Sequence, residues 1–312
     1  MKKILFFFSM VLFIFIISSC DKEESQTVKI MVPGGAPTLG FVKMKYDNEK
    51  ILNYNIEYDL TSGPDLLSSA ITSKSHQIVV APSNMGAKLY SINKTYIYAG
   101  TLTFGNLYLV STGELTIDNL SGKSICAFGK NSTPDIILRK ILEDQDVNIS
   151  YSNSGIDVSL LVAAGTCEIA LLAEPELSEL KADVNIKTII DLQEEYEKIS
   201  ENLSYPQAGI FINKAFAEEN MEFVEAFLTE VEASVNFLNN EKEKVSDYYQ
   251  KLKLKPLRTK AVLINSIPGS NVGFLSSSES KELIEQYFGI IMEFNPNLIG
   301  NTLPDDDFYL GL

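Results

Sequence analysis

SGPDLLSSAITSKSHQIVVA (residues 62–81) and SGIDVSLLVAAGTCEIALLA (residues 154–173) decide the fold, because one reading serves both stretches. Laid over each other they share Ser-Gly at the start (Ser62-Gly63 and Ser154-Gly155), the aspartate that follows (Asp65 and Asp157) and the closing alanine (Ala81 and Ala173). Each copy runs from a turn signal into a helical stretch and ends on a short apolar run. Short apolar runs that alternate with helices read as βαβ units of a parallel sheet.

Outward from this pair the same order of elements continues. VKIMV (28–32), YNIEYD (54–59) and QIVVA (77–81) are the first three predicted strands, and SICAF (124–128), VNISY (147–151) and EIALLA (168–173) form a second series. VKIMVPGGAPT leads from a strand through glycines to a helix, and KSICAFGKNSTP does the same. The expected architecture is α/β with two lobes, each a mainly parallel sheet flanked by helices. Ligands of such sheets sit beyond the carboxyl ends of the strands. That places residues 33–38, 61–65, 82–86, 129–135, 152–157 and 173–175 around a cleft. Several of these loops open helices: Ser132 or Thr133 can cap, Pro134 suits the first turn, and Asp135 complements the dipole. Free N–H groups at such starts can hold an anion without an arginine, although ordinary capping is the commoner use.

The N-terminus reads as an export signal. Lys2 and Lys3 precede an apolar run, Ile4–Ile17, shorter than the roughly 20 residues that span a bilayer. Ser18-Ser19-Cys20 follows and resembles the lipobox of bacterial lipoproteins, so Cys20 is the expected lipidation site, with residues 1–20 removed or modified as a signal and DKEESQ (21–26) as a tether. The expected location is the extracytoplasmic face of the cell membrane, held there by lipid. The net charge of −15 argues against a nucleic-acid partner. If the strands around Cys126 and Cys167 end level, the two cysteines are offset by about four residues, roughly 13 Å. A disulfide needs Cα atoms within about 7 Å, so two buried, unpaired cysteines are expected.

Enzymatic motifs are missing: there is no GxSxG, HExxH or P-loop. The one histidine, His76, falls in a turn before a strand and is expected to be exposed. No metal or cofactor pattern stands out, and Asp305-Asp306-Asp307 reads as a solvated turn.

IVVAPSNMGAKLY (78–90), LTFGNLYLVS (102–111), AFGKNSTPDIILRKIL (127–142), EIALLAEPEL (168–177), SYPQAGIFIN (204–213), IPGSNVGF (267–274) and LPDDDFYLG (303–311) resemble the substrate-binding proteins of nitrate, sulfonate and taurine importers, a family that includes thiamine-precursor-binding proteins. The resemblance implies a two-lobed type II periplasmic-binding-protein fold, a small-molecule solute, an ABC transporter permease as partner, no cofactor and a monomeric state. It implies crossings between lobes near residues 107–112 and 203–209. Lobe one is then 27–108 with 209–265, lobe two 109–208, and 266–312 forms helices packed across both. The implied ligand shell is Thr38, Ser83, Asn84, Asn106, Ser132, Thr133, Glu174 and Gln207, with Phe104 and Tyr205 as apolar walls. A pyrimidine-forming enzyme on the same fold and a surface interaction lipoprotein are the alternatives. The former resembles this chain but depends on an active-site histidine and a cysteine-rich segment.

Arg139 and Arg258 are the only arginines, and neither opens a predicted loop, so a bidentate clamp on a carboxylate or phosphate is not expected. A sulfonate-like anion, a neutral heterocycle and a small amine facing Glu174 stay open.

Overall fold

The computed structural model describes residues 26–47, 50–61, 63–200 and 204–311; Cys20, the export segment and Ser62 lie outside them. The chain begins with β1 (Thr27–Pro33), α1 (Ala36–Gly40), α2 (Val42–Asp47), β2 (Lys50–Ile51), β3 (Tyr54–Thr61), α3 (Pro64–Ser73), β4 (Ile78–Pro82), α4 (Ser83–Asn93) and β5 (Tyr96–Phe104). A second run follows: β6 (Leu107–Ser111), β7 (Ser124–Phe128), α5 (Thr133–Ile141), β8 (Asn148–Ser152), α6 (Gly155–Ala163), β9 (Ile169–Ala173), α7 (Glu176–Lys181), β10 (Lys187–Asp191) and α8 (Leu192–Ile199). The return consists of β11 (Pro206–Asn213), α9 (Lys214–Glu219), α10 (Met221–Asn240), α11 (Lys242–Lys251), α12 (Lys260–Gly269), β12 (Val272–Ser276) and α13 (Ser277–Phe294).

Two sheets result, ordered β12-β5-β11-β4-β1-β3-β2 and β10-β6-β9-β7-β8. In the first, β1 pairs in parallel with β3 and β4, and β11 runs antiparallel to β4 and β5. In the second, β7 pairs in parallel with β8 and β9, and β6 runs antiparallel to β9 and β10. Five strands of one sheet thus repeat the order and sense of five in the other, as the paired stretches imply. Within these five strands the antiparallel one, β6 or β11, is the one the chain enters from the other sheet. It enters at the carboxyl edge of its neighbours and therefore has to run against them.

Periodicity explains which faces are buried. Along β1, Val28, Ile30 and Val32 are buried while their neighbours are open. The central strand β4 is buried without alternation, as expected for a strand covered on both faces. On α10, Phe223, Val224, Phe227, Val231, Val235 and Leu238 form the buried face. Each such side chain contributes about 1.5–3 kcal/mol relative to exposure. The core of the first sheet is continuous with one face of the second, and a smaller cluster around Val110, Val158, Val162 and Leu172 fills the other face beneath α6 and α7.

Four expectations need correction. Leu107 and Tyr108 pair with Ala173 and Leu172 in the second sheet, and Pro206 and Ala208 pair with Phe104 and Pro82 in the first. The first crossing is therefore Gly105-Asn106, ahead of the expected 107–112. Residues 266–312 are not only helices, because β12 extends the first sheet beside β5. Cys126 and Cys167 form a disulfide with Cα atoms 6.4 Å apart. Cys126 stands opposite Ala170, three positions past Cys167, which precedes β9 in a turn that Gly165 opens at φ +71°. A residue outside the strand is not held to the strand's rise, so offset along the sheet overstates its distance. Finally, His76 is buried, its Nε2 2.9 Å from Asp59 Oδ2 and its Nδ1 2.9 Å from Ser75 Oγ.

The aspartates near the C-terminus are anchored. Tyr90 donates to Asp305, Lys94 pairs with Asp305, and Lys281 pairs with Asp306. They hold Phe308 where its ring stacks on Tyr98 at 5.5 Å.

Candidate ligand-binding cleft

Between Phe104, the last residue of β5, and Leu107, the first of β6, stand only Gly105 and Asn106. Three Cα–Cα steps span at most about 11 Å, so the carboxyl edges of the two sheets face each other at this point. Gly105 is required by close approach: a Cβ there would lie 1.8 Å from Gln193 Oε1 and 2.3 Å from Tyr205 Cζ. Asn106 Nδ2 donates to Glu174 O, and the Glu174 N–H donates to Asn106 O. Asn271, just before β12, accepts from Phe104 N at 3.0 Å and donates from its side chain to Gly105 O. Tyr108 donates to Gly269 O at 3.0 Å. The crossing is thus gripped by the loop after β9 and by the α12–β12 turn.

The rim of the first sheet is made by the turn after β1, the start of α4, the end of β5 and the start of β11. Thr38 is buried and donates to Pro33 O at 2.9 Å. Ser83 and Asn84 open α4, whose N-cap position, Pro82, offers no side-chain cap. Phe104 is half-buried, its ring filling the space where Gly273 lacks a side chain. Tyr205 is fully buried and packs edge-on to Tyr196 at 5.1 Å.

The second rim carries the loop 129–133, Glu174, and the β10–α8 junction. Ser132 donates to Gly129 O at 2.6 Å, and Thr133 accepts from Tyr287 OH on α13 at 2.9 Å. Glu174 is buried and accepts from Ser178 N and Ser178 Oγ, both at 2.9 Å. Burial pushes its carboxyl pKa upward, partly offset by those two bonds. Burial likewise raises Asp191, which accepts from Gln193 N at 2.9 Å.

The ten residues proposed from the sequence therefore divide. Buried, unpartnered polar atoms occur on five of them: Ser83 Oγ, Asn84 Oδ1, Asn106 Oδ1, Tyr205 OH and Gln207 Oε1. The Tyr205 hydroxyl interacts with the Leu107 N–H without forming a full hydrogen bond. Four others, Thr38, Ser132, Thr133 and Glu174, are engaged with protein partners, and Phe104 is packing. Sequence reading missed Thr103, Gln193 and Tyr196, which also carry buried, unpartnered oxygens beside the crossing. Only their approach to Gly105 and Tyr205 in space marks them. An unpaired buried polar atom costs about 1–3 kcal/mol, so their concentration around the crossing marks it as the candidate site.

An open hollow lined by Lys74, Lys94, Thr95, Asn213, Lys214 and Glu218 lies at the opposite edge of the first sheet and shares no residue with the rims. Among the described residues no group of three or more His, Cys, Asp and Glu is placed to hold a metal, and no helix is long and apolar enough to cross a membrane. His76 precedes β4, at the end of that strand away from Ser83.

No protein-family profile matches the sequence, and no curated protein matches it. Solved structures do match in fold. An ABC transporter protein from Parabacteroides distasonis is 22% identical, with 91% of this chain and 98% of that one covered at a TM-score of 0.78. The periplasmic aliphatic sulphonate-binding protein SsuA of Escherichia coli is 13% identical, with 91% and 90% covered at 0.72. The periplasmic nitrate-binding protein NrtA of Synechocystis is 11% identical, with 87% and 82% covered at 0.66. The chain has the α/β, two-lobed type II periplasmic-binding-protein fold.

Proposed function

We propose that this chain is an extracytoplasmic solute-binding lipoprotein, which captures a small molecule between its sheets and delivers it to the permease of an ABC importer. The observation that carries the reading is the set of buried, unpartnered polar atoms on two rims that the two-residue crossing holds face to face. A guest bonded to both rims favours the closed arrangement by its differential affinity for it. We take lobe one as 27–104 with 206–276 and lobe two as 107–199, and the protein as a monomer that needs no cofactor and performs no catalysis.

The Cys126–Cys167 disulfide supports an oxidising, extracytoplasmic location. Anchoring rests on Cys20, since two or more acyl chains hold a protein stably on a bilayer. Cys20→Ala releases the protein into the soluble fraction on this reading; retention in the membrane would remove the anchor.

Solute capture is tested by thermal melts of the full chain in detergent against a panel of sulfonates, nitrate, pyrimidines and amines, the first two suggested by the ligands named for the similar proteins. A ligand at 100 times its Kd adds about 2.7 kcal/mol to stability. A response that disappears in Asn84→Leu with Asn106→Leu supports the cleft, and a flat panel refutes it.

A further inference from the structure

The amides at the crossing have a fixed orientation. Asn106 commits its Nδ2 to Glu174 O, and Gln193 commits its Nε2 to Glu197 Oε1 at 3.0 Å. What each leaves unmatched is a carbonyl oxygen, Asn106 Oδ1 and Gln193 Oε1, on residues only 3% and 7% exposed. These are acceptors in want of a donor.

The charges around them agree. Every helix that starts at the second rim already carries an acid of its own. Asp135 accepts from Asn131 N at 2.8 Å before α5, and Asp157 accepts from Ser154 Oγ at 2.9 Å at the start of α6. Glu174 takes Ser178 N in α7, and Asp191 takes Gln193 N in α8. A carboxylate thus stands beside the N–H groups of each of these helix starts, and their surroundings are negative. Both arginines are engaged, Arg139 with Asp135 and Arg258 with Glu176. Lys130 is exposed and lies over the Tyr151 ring. On the first rim α4 differs, opening with neither a side-chain cap nor an acid, so its first N–H groups have no side-chain acceptor.

Resting on the solute-capture reading, we infer that the guest is a small solute presenting N–H donors to Asn106 and Gln193 and carrying no net negative charge. An oxyanion brings acceptors only, leaves both carbonyls unpaired, and meets like charge at the second rim.

The test is calorimetric titration and thermal melting of the full chain in detergent with four probes: cytosine, agmatine, nitrate and ethanesulfonate. Cytosine or agmatine raises the melting midpoint by several degrees, and its affinity falls at least tenfold in Asn106→Leu and in Gln193→Leu, while the two anions give no response. Circular dichroism checks the fold of each variant, and Asn106→Ser replaces any variant that fails to fold. Binding of nitrate or ethanesulfonate would overturn the ligand class and leave solute capture standing. Cytosine or agmatine binding unchanged in both folded variants would overturn the role of the two carbonyls. Silence from all four probes would overturn the class as stated, and solute capture falls only if the wider panel is silent too.

Discussion

Asn106 and Glu174 clasp each other across the crossing, each donating to the other's backbone carbonyl at 3.3 Å, Asn106 through its side-chain amide and Glu174 through its N–H. One residue precedes β6 and the other follows β9, so the pair joins the crossing to the rim of the second sheet and leaves Asn106 Oδ1 pointing to no protein donor. The predictions below follow from the groups gathered around this clasp and from the elements that brace it.

Gly105→Ala destabilises the protein by about 1–3 kcal/mol, the cost of forcing a methyl group into filled space. Its Cβ would strike Gln193 Oε1 on α8 and the ring of Tyr205 ahead of β11. Urea denaturation gives the difference, and an unchanged midpoint would mean that the crossing relaxes freely.

Thr133→Ala and Ser132→Ala differ although they are neighbours. The first leaves the buried Tyr287 hydroxyl without its acceptor and costs about 1–3 kcal/mol. The second removes a half-buried donor to Gly129 O and costs under about 1 kcal/mol. Parallel urea titrations compare them; equal costs would show that α13 does not depend on Thr133.

Reduction, or Cys126→Ser with Cys167→Ser, lowers stability by about 2–4 kcal/mol through the loop of sequence separation 41 that the disulfide closes. Melts with and without a thiol reductant read this directly. A reductant-insensitive midpoint in the parent protein would count against the bond.

Glu174→Gln changes the pH profile. Burial raises the Glu174 pKa in the folded protein above its unfolded value of about 4.3. The folded state then binds the proton more tightly, so this group's contribution is complete below the unfolded pKa and is lost as pH rises through the folded pKa. Relative to the parent, the glutamine variant gains midpoint temperature over the range from the unfolded pKa upward. A difference that stays flat or falls over that range would contradict the sign.

Much of the candidate site's placement at the strand ends was legible because its makers are local. Ser83-Asn84 after the apolar run of β4 and Glu174 after β9 stand at strand ends, which period and turn chemistry reveal. Gln193 was not legible, because a glutamine in the first turn of α8 looks like an ordinary solvated helix start until the fold brings it beside Gly105. His76 misled for a similar reason: its turn looks open, and only β3 brings Asp59 to its ring.

The sequence alone determined the doubled α/β plan, the strands and the loops that form the rims, since hydrophobic period and helix-start residues act over a few neighbours. Tertiary structure decided the crossing point, the disulfide and which polar atoms stay unpaired. Those depend on register and on contacts between residues far apart in the chain, which no local pattern encodes.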